Sequence, residues 1–317
     1  MWFKNCLFLI STFLMLNQIV AGLDYDKVYE PNPPVTHRAF MTIRYFDRSA
    51  GKTKEQEITI DLYGTVVPKT VFNFASLGNG VKARIQGQDP DDIKVLGYKG
   101  TKFTEVVPNG MILGGDVIPE IGPFSVHGPG FPDENFFLKH DRPGRLSMAN
   151  TGPDSNNCKF FISTKVEPAT ELDNRNVVFG QVVSGLEGLL DNVQNVETGA
   201  YHRPVKDVEI TSSLVNELKL AEPEALHTGY VQRLEKFKGG DKSQGITMKE
   251  MLNEGSKKKK VVKKSKKAGG KKAKTVFGIQ PTQALYAIIG LAAVLVLIKL
   301  VRKQLKNRSK NVSIRAD

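Results

Sequence analysis

The sequence predicts a mostly β soluble region, an antiparallel barrel or sandwich, on two observations. Short segments of strand length recur from residue 39 to residue 212, and helical periodicity over the same stretch is confined to two brief segments. Residues 39–46 (AFMTIRYF) and 56–63 (QEITIDLY) alternate, with Ile58, Ile60 and Leu62 on one face. They are expected to pair as antiparallel strands across a polar turn from Asp47 to Glu55. Pro68 opens a helix that runs through Leu77, and Gly78 or Gly80 closes it. The segment 83–96 has no steady period and is expected to be a loop. Strands follow at Lys102–Val106, Met111–Leu113, Arg145–Ala149, Lys159–Ser163, Asn176–Val183 and Lys206–Ser212, and a second helix covers Leu186–Val193.

After residue 215 the pattern changes. Leu226, Tyr230, Val231, Leu234 and Phe237 fall at helical spacing, so 216–238 is expected to be an amphipathic helical extension, docked on the domain or standing as a stalk. Residues 239–274, rich in Gly, Ser and Lys, are expected to form a flexible linker.

Both ends point to a membrane. The first 22 residues carry Lys4, an eleven-residue apolar stretch from Cys6 to Leu16, and small residues at Val20-Ala21-Gly22. This is a signal-peptide pattern, too short to span a bilayer. Between Lys274 and Lys299 lie 24 uncharged residues. A transmembrane helix over 276–301 is expected there, followed by a basic tail, 302–317. A cleaved leader places the soluble part in the lumen of the secretory pathway, the endoplasmic reticulum being the expected membrane, with a single pass. Long domains translocate largely regardless of charge, so the lysines before the span do not reverse this. Two glycosylation sequons, at Asn307 and Asn311, fall in the tail, and glycans there would reverse the topology.

The net charge of +12 belongs to one segment. Lys257–Lys274 holds eleven lysines and no acid, and the rest of the chain carries only +1. No aromatic residues interleave those lysines, which argues against nucleic-acid binding. Cys158 is the one thiol outside the leader, so no internal disulfide forms, although cross-linking between chains is open to it. The five histidines are scattered, and no His/Cys spacing suits a metal.

Five segments occur in order: IDLYGTVVPKTVFNF (60–74), GYKGTKFTEVVPNGMILGGD, DENFFLKHDRPGRLSMANTGPDSN, KFFIST and LDNRNVVFGQV. Together they resemble the cyclophilins, a family of peptidyl-prolyl cis–trans isomerases, and in particular its membrane-anchored secretory-pathway members in fungi. The resemblance covers about 36–215. It implies an eight-stranded antiparallel barrel capped by two helices, rotamase activity without a cofactor, and proline-containing client proteins or peptides as partners.

The chemistry implied is rotation about an X–Pro bond, slow because amide resonance gives the C–N bond double-bond character. A catalyst favours the twisted amide, in which the prolyl nitrogen regains a lone pair, through a fixed donor beside an apolar pocket. By resemblance, Met111, Phe161 and Leu172 match the proline pocket, and Ala149 and Asn150 match the residues whose backbone contacts substrate. The remaining positions depart from the family. The catalytic arginine is Glu105, the aromatic wall is Gly110, and the two glutamines are Leu113 and Lys159. The tryptophan is Glu171, and the histidine is Asn176. An ionised carboxylate accepts hydrogen bonds and cannot donate. Weak or lost isomerase activity is therefore expected, with a client-binding module on the same fold as the alternative. Weak or no binding of cyclosporin-type ligands is expected too. Lys159 is expected either to reach in as a substitute donor or to pair with Glu105 or Glu171.

Overall fold

A computed structural model of the protein describes residues 22–84, 93–120 and 122–253. The expected leader and the expected C-terminal span and tail lie outside these residues. Among the described residues no helix is long and apolar enough to cross a membrane.

The chain begins with β1 (Val28–Tyr29), then β2 (His37–Asp47) and β3 (Lys52–Leu62). These last two pair antiparallel in unbroken register from His37↔Leu62 to Asp47↔Lys52. The expected turn thus shrinks to four residues. Its polar flank, Lys52–Glu55, is strand that projects beyond the core, and Lys54 is paired there with Asp47. Helix α1 (Pro68–Asn79) starts on Pro68 as expected and ends at Gly80. Its first free amides, those of Lys69 and Thr70, donate to the Glu134 carboxylate at 3.0 and 2.9 Å. This places a negative charge at the positive end of the helix.

Strands β4 (Val81–Arg84) and β5 (Ile93–Leu96) form a separate antiparallel hairpin that takes in both ends of the segment 83–96 expected to be a loop. Most of its residues are exposed or half-exposed. Only Leu96 is buried and Val81 packs against the core, too few apolar contacts for periodicity to mark the hairpin. Then come β6 (Phe103–Val107), β7 (Met111–Gly114), β8 (Arg145–Met148), β9 (Phe160–Ser163), β10 (Val178–Ser184), α2 (Leu186–Asp191) and β11 (Glu209–Glu217).

One antiparallel sheet holds eight strands in the order β11-β2-β3-β10-β8-β9-β7-β6. It curls until its two edges meet: Phe103 N–H donates to Val208 C=O at 2.8 Å, and Ile210 N–H to Thr101 C=O at 2.9 Å. Phe74 of α1 plugs one side of the interior against Tyr98, Phe160 and Phe179, with ring centroids 4.9–5.2 Å apart. Ile43, Ile58, Ile60 and Leu62 are fully buried beside them. Cys158 is buried as well, and burial pushes its thiol pKa up. The inter-chain cross-link open to it in the sequence is closed to it in the folded domain.

The chain beyond β11 is part of the fold. Helix α3 (Pro223–Lys238) is exposed along most of its length but buries Tyr230 and Phe237. Residues 239–253, expected to belong to a linker, pack on the domain. β12 (Ile246–Thr247) pairs with β1, and Met248, Met251 and Leu252 join the main core with exposures of 0, 1 and 7%. A Gly/Ser/Lys-rich composition around so few apolar residues hid this from sequence reasoning. Met251→Ala is expected to cost about 2–5 kcal/mol, as for other buried methionine truncations. Urea unfolding measures it, and a loss below about 0.5 kcal/mol, the range of a surface change, would show that the segment does not hold the core.

Candidate functional site

The site face is set by sheet register. Glu105 pairs with Leu113, Leu113 with Phe161, and Phe161 with Ser147. Directly opposed residues project to the same face of a sheet, so these four form one row across β6, β7, β9 and β8. Met111, two residues from Leu113, shares that face. The alternate residues Val106, Ile112, Phe160, Ile162, Leu146 and Met148 fill the core. Binary alternation thus delivers an apolar barrel interior on one side and a patterned outer face on the other.

Phe161 is only 2% exposed although it faces away from the main core. His140 stacks against it, nearly parallel at 11° with centroids 5.9 Å apart. The imidazole is itself fixed. Nδ1 lies 3.0 Å from Asp173 Oδ1, and Nε2 lies 3.0 Å from Ser147 Oγ. The Asp173 carboxylate only accepts, so Nδ1 carries the proton. Burial lowers the His140 pKa, and the Asp173 contact offsets this only in part. Asp173 follows Leu172 at the end of a 3-10 turn (Thr170–Leu172), which is bonded to the His140 segment by Ala169 N–H donating to His140 C=O at 2.8 Å. One histidine therefore ties Phe161 to the turn that carries Leu172. His140, Asp173 and Ser147 were not singled out in the sequence. The only sign of them was their place inside the matched segments.

The altered positions take specific partners. Asn176 donates through Nδ2 to Met148 C=O at 3.0 Å, and Asn150 Nδ2 donates to Arg175 C=O at 2.9 Å. Both amides brace the segment 148–150, whose Ala149 N–H donates to Lys159 C=O at 3.0 Å. Glu171 pairs with Lys165 at 2.7 Å, and that bond lowers its pKa. Gly110 sits where Val107 leaves no room: a Cβ there would lie 2.8 Å from Val107 Cγ1.

Lys159 corrects an expectation. It pairs with neither Glu105 nor Glu171, but with Asp116, at 2.8 Å. The register explains it. Gly114 opposes Phe160, so continuing the ladder one residue each way carries Lys159 alongside Gly115 and Asp116, while Glu105 lies two strands away from β9. Glu105 is half-buried, and among the described residues its carboxylate has no hydrogen-bond or ion-pair partner. Beyond β6 it borders a hollow of about 720 Å³, lined also by Thr104, Tyr201, Arg203, Pro204 and Val205.

No group of three His, Cys, Asp or Glu side chains among the described residues is placed to hold a metal ion. What the face offers is an apolar floor, backbone groups at 149–150 and one unpaired carboxylate.

Comparison with known proteins agrees with this architecture. The family model described as cyclophilin type peptidyl-prolyl cis-trans isomerase/CLD matches residues 49–215. Peptidyl-prolyl cis-trans isomerase CPR4 of Saccharomyces cerevisiae is 47% identical over 263 residues, covering 80% of this chain and 82% of that protein. Peptidyl-prolyl cis-trans isomerase CYP8 of the same yeast is 36% identical over 299 residues, covering 93% and 90%. Peptidyl-prolyl cis-trans isomerase B, also of that yeast, is 39% identical over 200 residues, covering 62% and 88%. With the eight-stranded curled sheet, its helices and the ordered motifs all in place, the chain belongs to the cyclophilin-type peptidyl-prolyl cis-trans isomerases.

Proposed function

We propose that this cyclophilin grips prolyl peptides in the groove over Phe161 and isomerises them slowly, so that holding a client is the larger part of its work. Met111, Phe161 and Leu172 form the apolar seat, and the backbone at Ala149 and Asn150 receives the peptide. The leader and the apolar segment 276–301 support a place in the secretory pathway, with the domain tethered to a membrane, most simply that of the endoplasmic reticulum.

One observation carries the reading. Glu105 stands in the row where a donor is needed, and Lys159, the substitute donor that the sequence suggested, is held by Asp116 at 2.8 Å. Arg203 lines the hollow beyond β6, on the far side of Glu105 from Phe161, one step further from the prolyl nitrogen. A carboxylate beside a nitrogen that is regaining its lone pair opposes the transition state. Loss of one well-placed donor typically costs about 10²–10³ in rate.

The test is a prolyl-peptide isomerisation assay on the full chain in detergent, paired with a binding titration of the same peptide. Saturable binding with kcat/KM about a hundredfold below that of an arginine-bearing relative is the expected result. A rate equal to the relative's overturns the slow-isomerase reading. Binding with no turnover at all leaves a binding module on the same fold.

A further inference from the structure

We infer that Glu105 and the Tyr201 hollow form a specificity subsite for a lysine or arginine adjoining the proline of the bound peptide. The inference rests on the proline-groove reading above and adds to it a substrate class.

The first support is charge. Around the site face, Lys159 is neutralised by Asp116, Lys165 by Glu171 and Lys102 by Asp207, at 2.8, 2.7 and 2.8 Å. Glu105 is the acid on this face that no cation of the described chain answers. A half-buried carboxylate without a partner loses solvation without compensation, and a ligand cation restores it.

The second support is the built shape of the hollow. Its outer wall is the turn Gly199–Arg203, closed by Gly199 N–H donating to Arg203 C=O at 2.8 Å and by Val205 N–H donating to Glu197 C=O at 2.9 Å. Within that turn Tyr201 and His202 both have left-handed backbones, φ 55° and 54°. Two successive non-glycine residues in that region are strained. The result is a tyrosine 94% exposed, with its neighbour Val205 60% exposed, beside an acid. A carboxylate, an aromatic ring and an aliphatic wall together suit a long side chain with an apolar stem and a cationic head.

The third support is reach. Glu105 is two strands from Phe161 along one row, about 10 Å at the usual strand spacing. A residue next to a proline seated over Phe161 starts partway along that row, and the four-carbon stem of lysine crosses the rest, over the apolar Leu113. Arg203 also lines the hollow and opposes an incoming cation, so it sets an upper limit on the preference, and its removal strengthens it.

The experiment uses the full chain in detergent and a fluorescent peptide family with one proline, flanked on either side by lysine, norleucine or glutamate. Affinity is read by anisotropy at low and high salt. The lysine peptide is expected to bind about tenfold more tightly than the norleucine peptide at low salt. The difference should shrink as salt rises, vanish in Glu105→Gln and widen in Arg203→Ala. Equal binding of the three peptides by the wild type, or a lysine preference that survives Glu105→Gln, overturns the subsite while leaving the proline groove standing. No binding of any peptide removes the groove reading and the subsite with it.

Discussion

Glu105→Arg is expected to raise kcat/KM for prolyl-peptide isomerisation about a hundredfold. The substitution acts at the row Glu105–Leu113–Phe161, so the new guanidinium projects over the same face as the proline floor. It replaces an acceptor-only group with a planar donor at the position where the twisted amide exposes its lone pair. A factor of a hundred is about 2.7 kcal/mol of barrier, within the range measured for single positioned donors. The gain should appear in kcat more than in KM, because the donor is used only in the transition state. Glu105→Gln removes the opposing charge but offers a weaker, shorter donor, and is expected to gain less than tenfold. Gly110→Phe gives no comparable rescue by itself, since Val107 Cγ1 stands 2.8 Å from where its Cβ would go. If Glu105→Arg binds the peptide and leaves the rate unchanged, the missing donor is not what limits this enzyme.

That substitution also separates what the sequence could disclose from what it could not. Strands β2 and β3 were legible because burial of one face writes period-two alternation into their residues, whereas β8, β9 and β10, buried on both faces, were legible as short apolar runs. The hairpin β4–β5 and the residues 239–253 were not, because one buries only Leu96 and part of Val81 and the other buries three side chains inside a polar stretch. In the site, the altered positions are read from the matched motifs alone. The partner of Lys159 was not, because it depends on how the β7–β9 ladder continues past Gly114 and Phe160. The His140–Phe161 stack joins residues 21 apart in sequence, and the His140–Asp173 contact joins residues 33 apart, so no local pattern encodes either.

The second large effect is expected far from the groove mouth. Asp141→Asn should destabilise the protein by about 3–5 kcal/mol, the cost of leaving buried cations without their anion. Arg142 and Arg145 are both about 1% exposed, and both depend on Asp141. Arg142 donates through Nε and Nη2, at 3.0 and 2.6 Å, and Arg145 donates through Nε at 2.9 Å. Arg142 also donates to Glu30 C=O at 2.7 Å and lies 4.7 Å over the ring of Tyr29, the residue that pairs with β12. The cluster therefore fastens the N-terminal strap and the C-terminal segment to the start of β8. Burial pushes the Asp141 pKa up, but Arg145 and Arg142 outweigh it and hold the group at about 2. Its unfolded value is about 3.9, so its contribution is full above that pH and is lost as pH falls toward 2. The difference between the two values corresponds to roughly 2.6 kcal/mol. Urea midpoints of the wild type should fall steeply between pH 5 and 2, and those of Asp141→Asn should fall less. Should the variant not fold, the wild-type acid profile alone still decides, and a flat profile over that window sinks the argument. The consequence reaches the groove, because Asp141 lies next to His140 in sequence and Arg145 opens the strand that carries Ser147. Peptide affinity should weaken in Asp141→Asn even where the protein is fully folded, since the histidine under Phe161 is held from both of those sides.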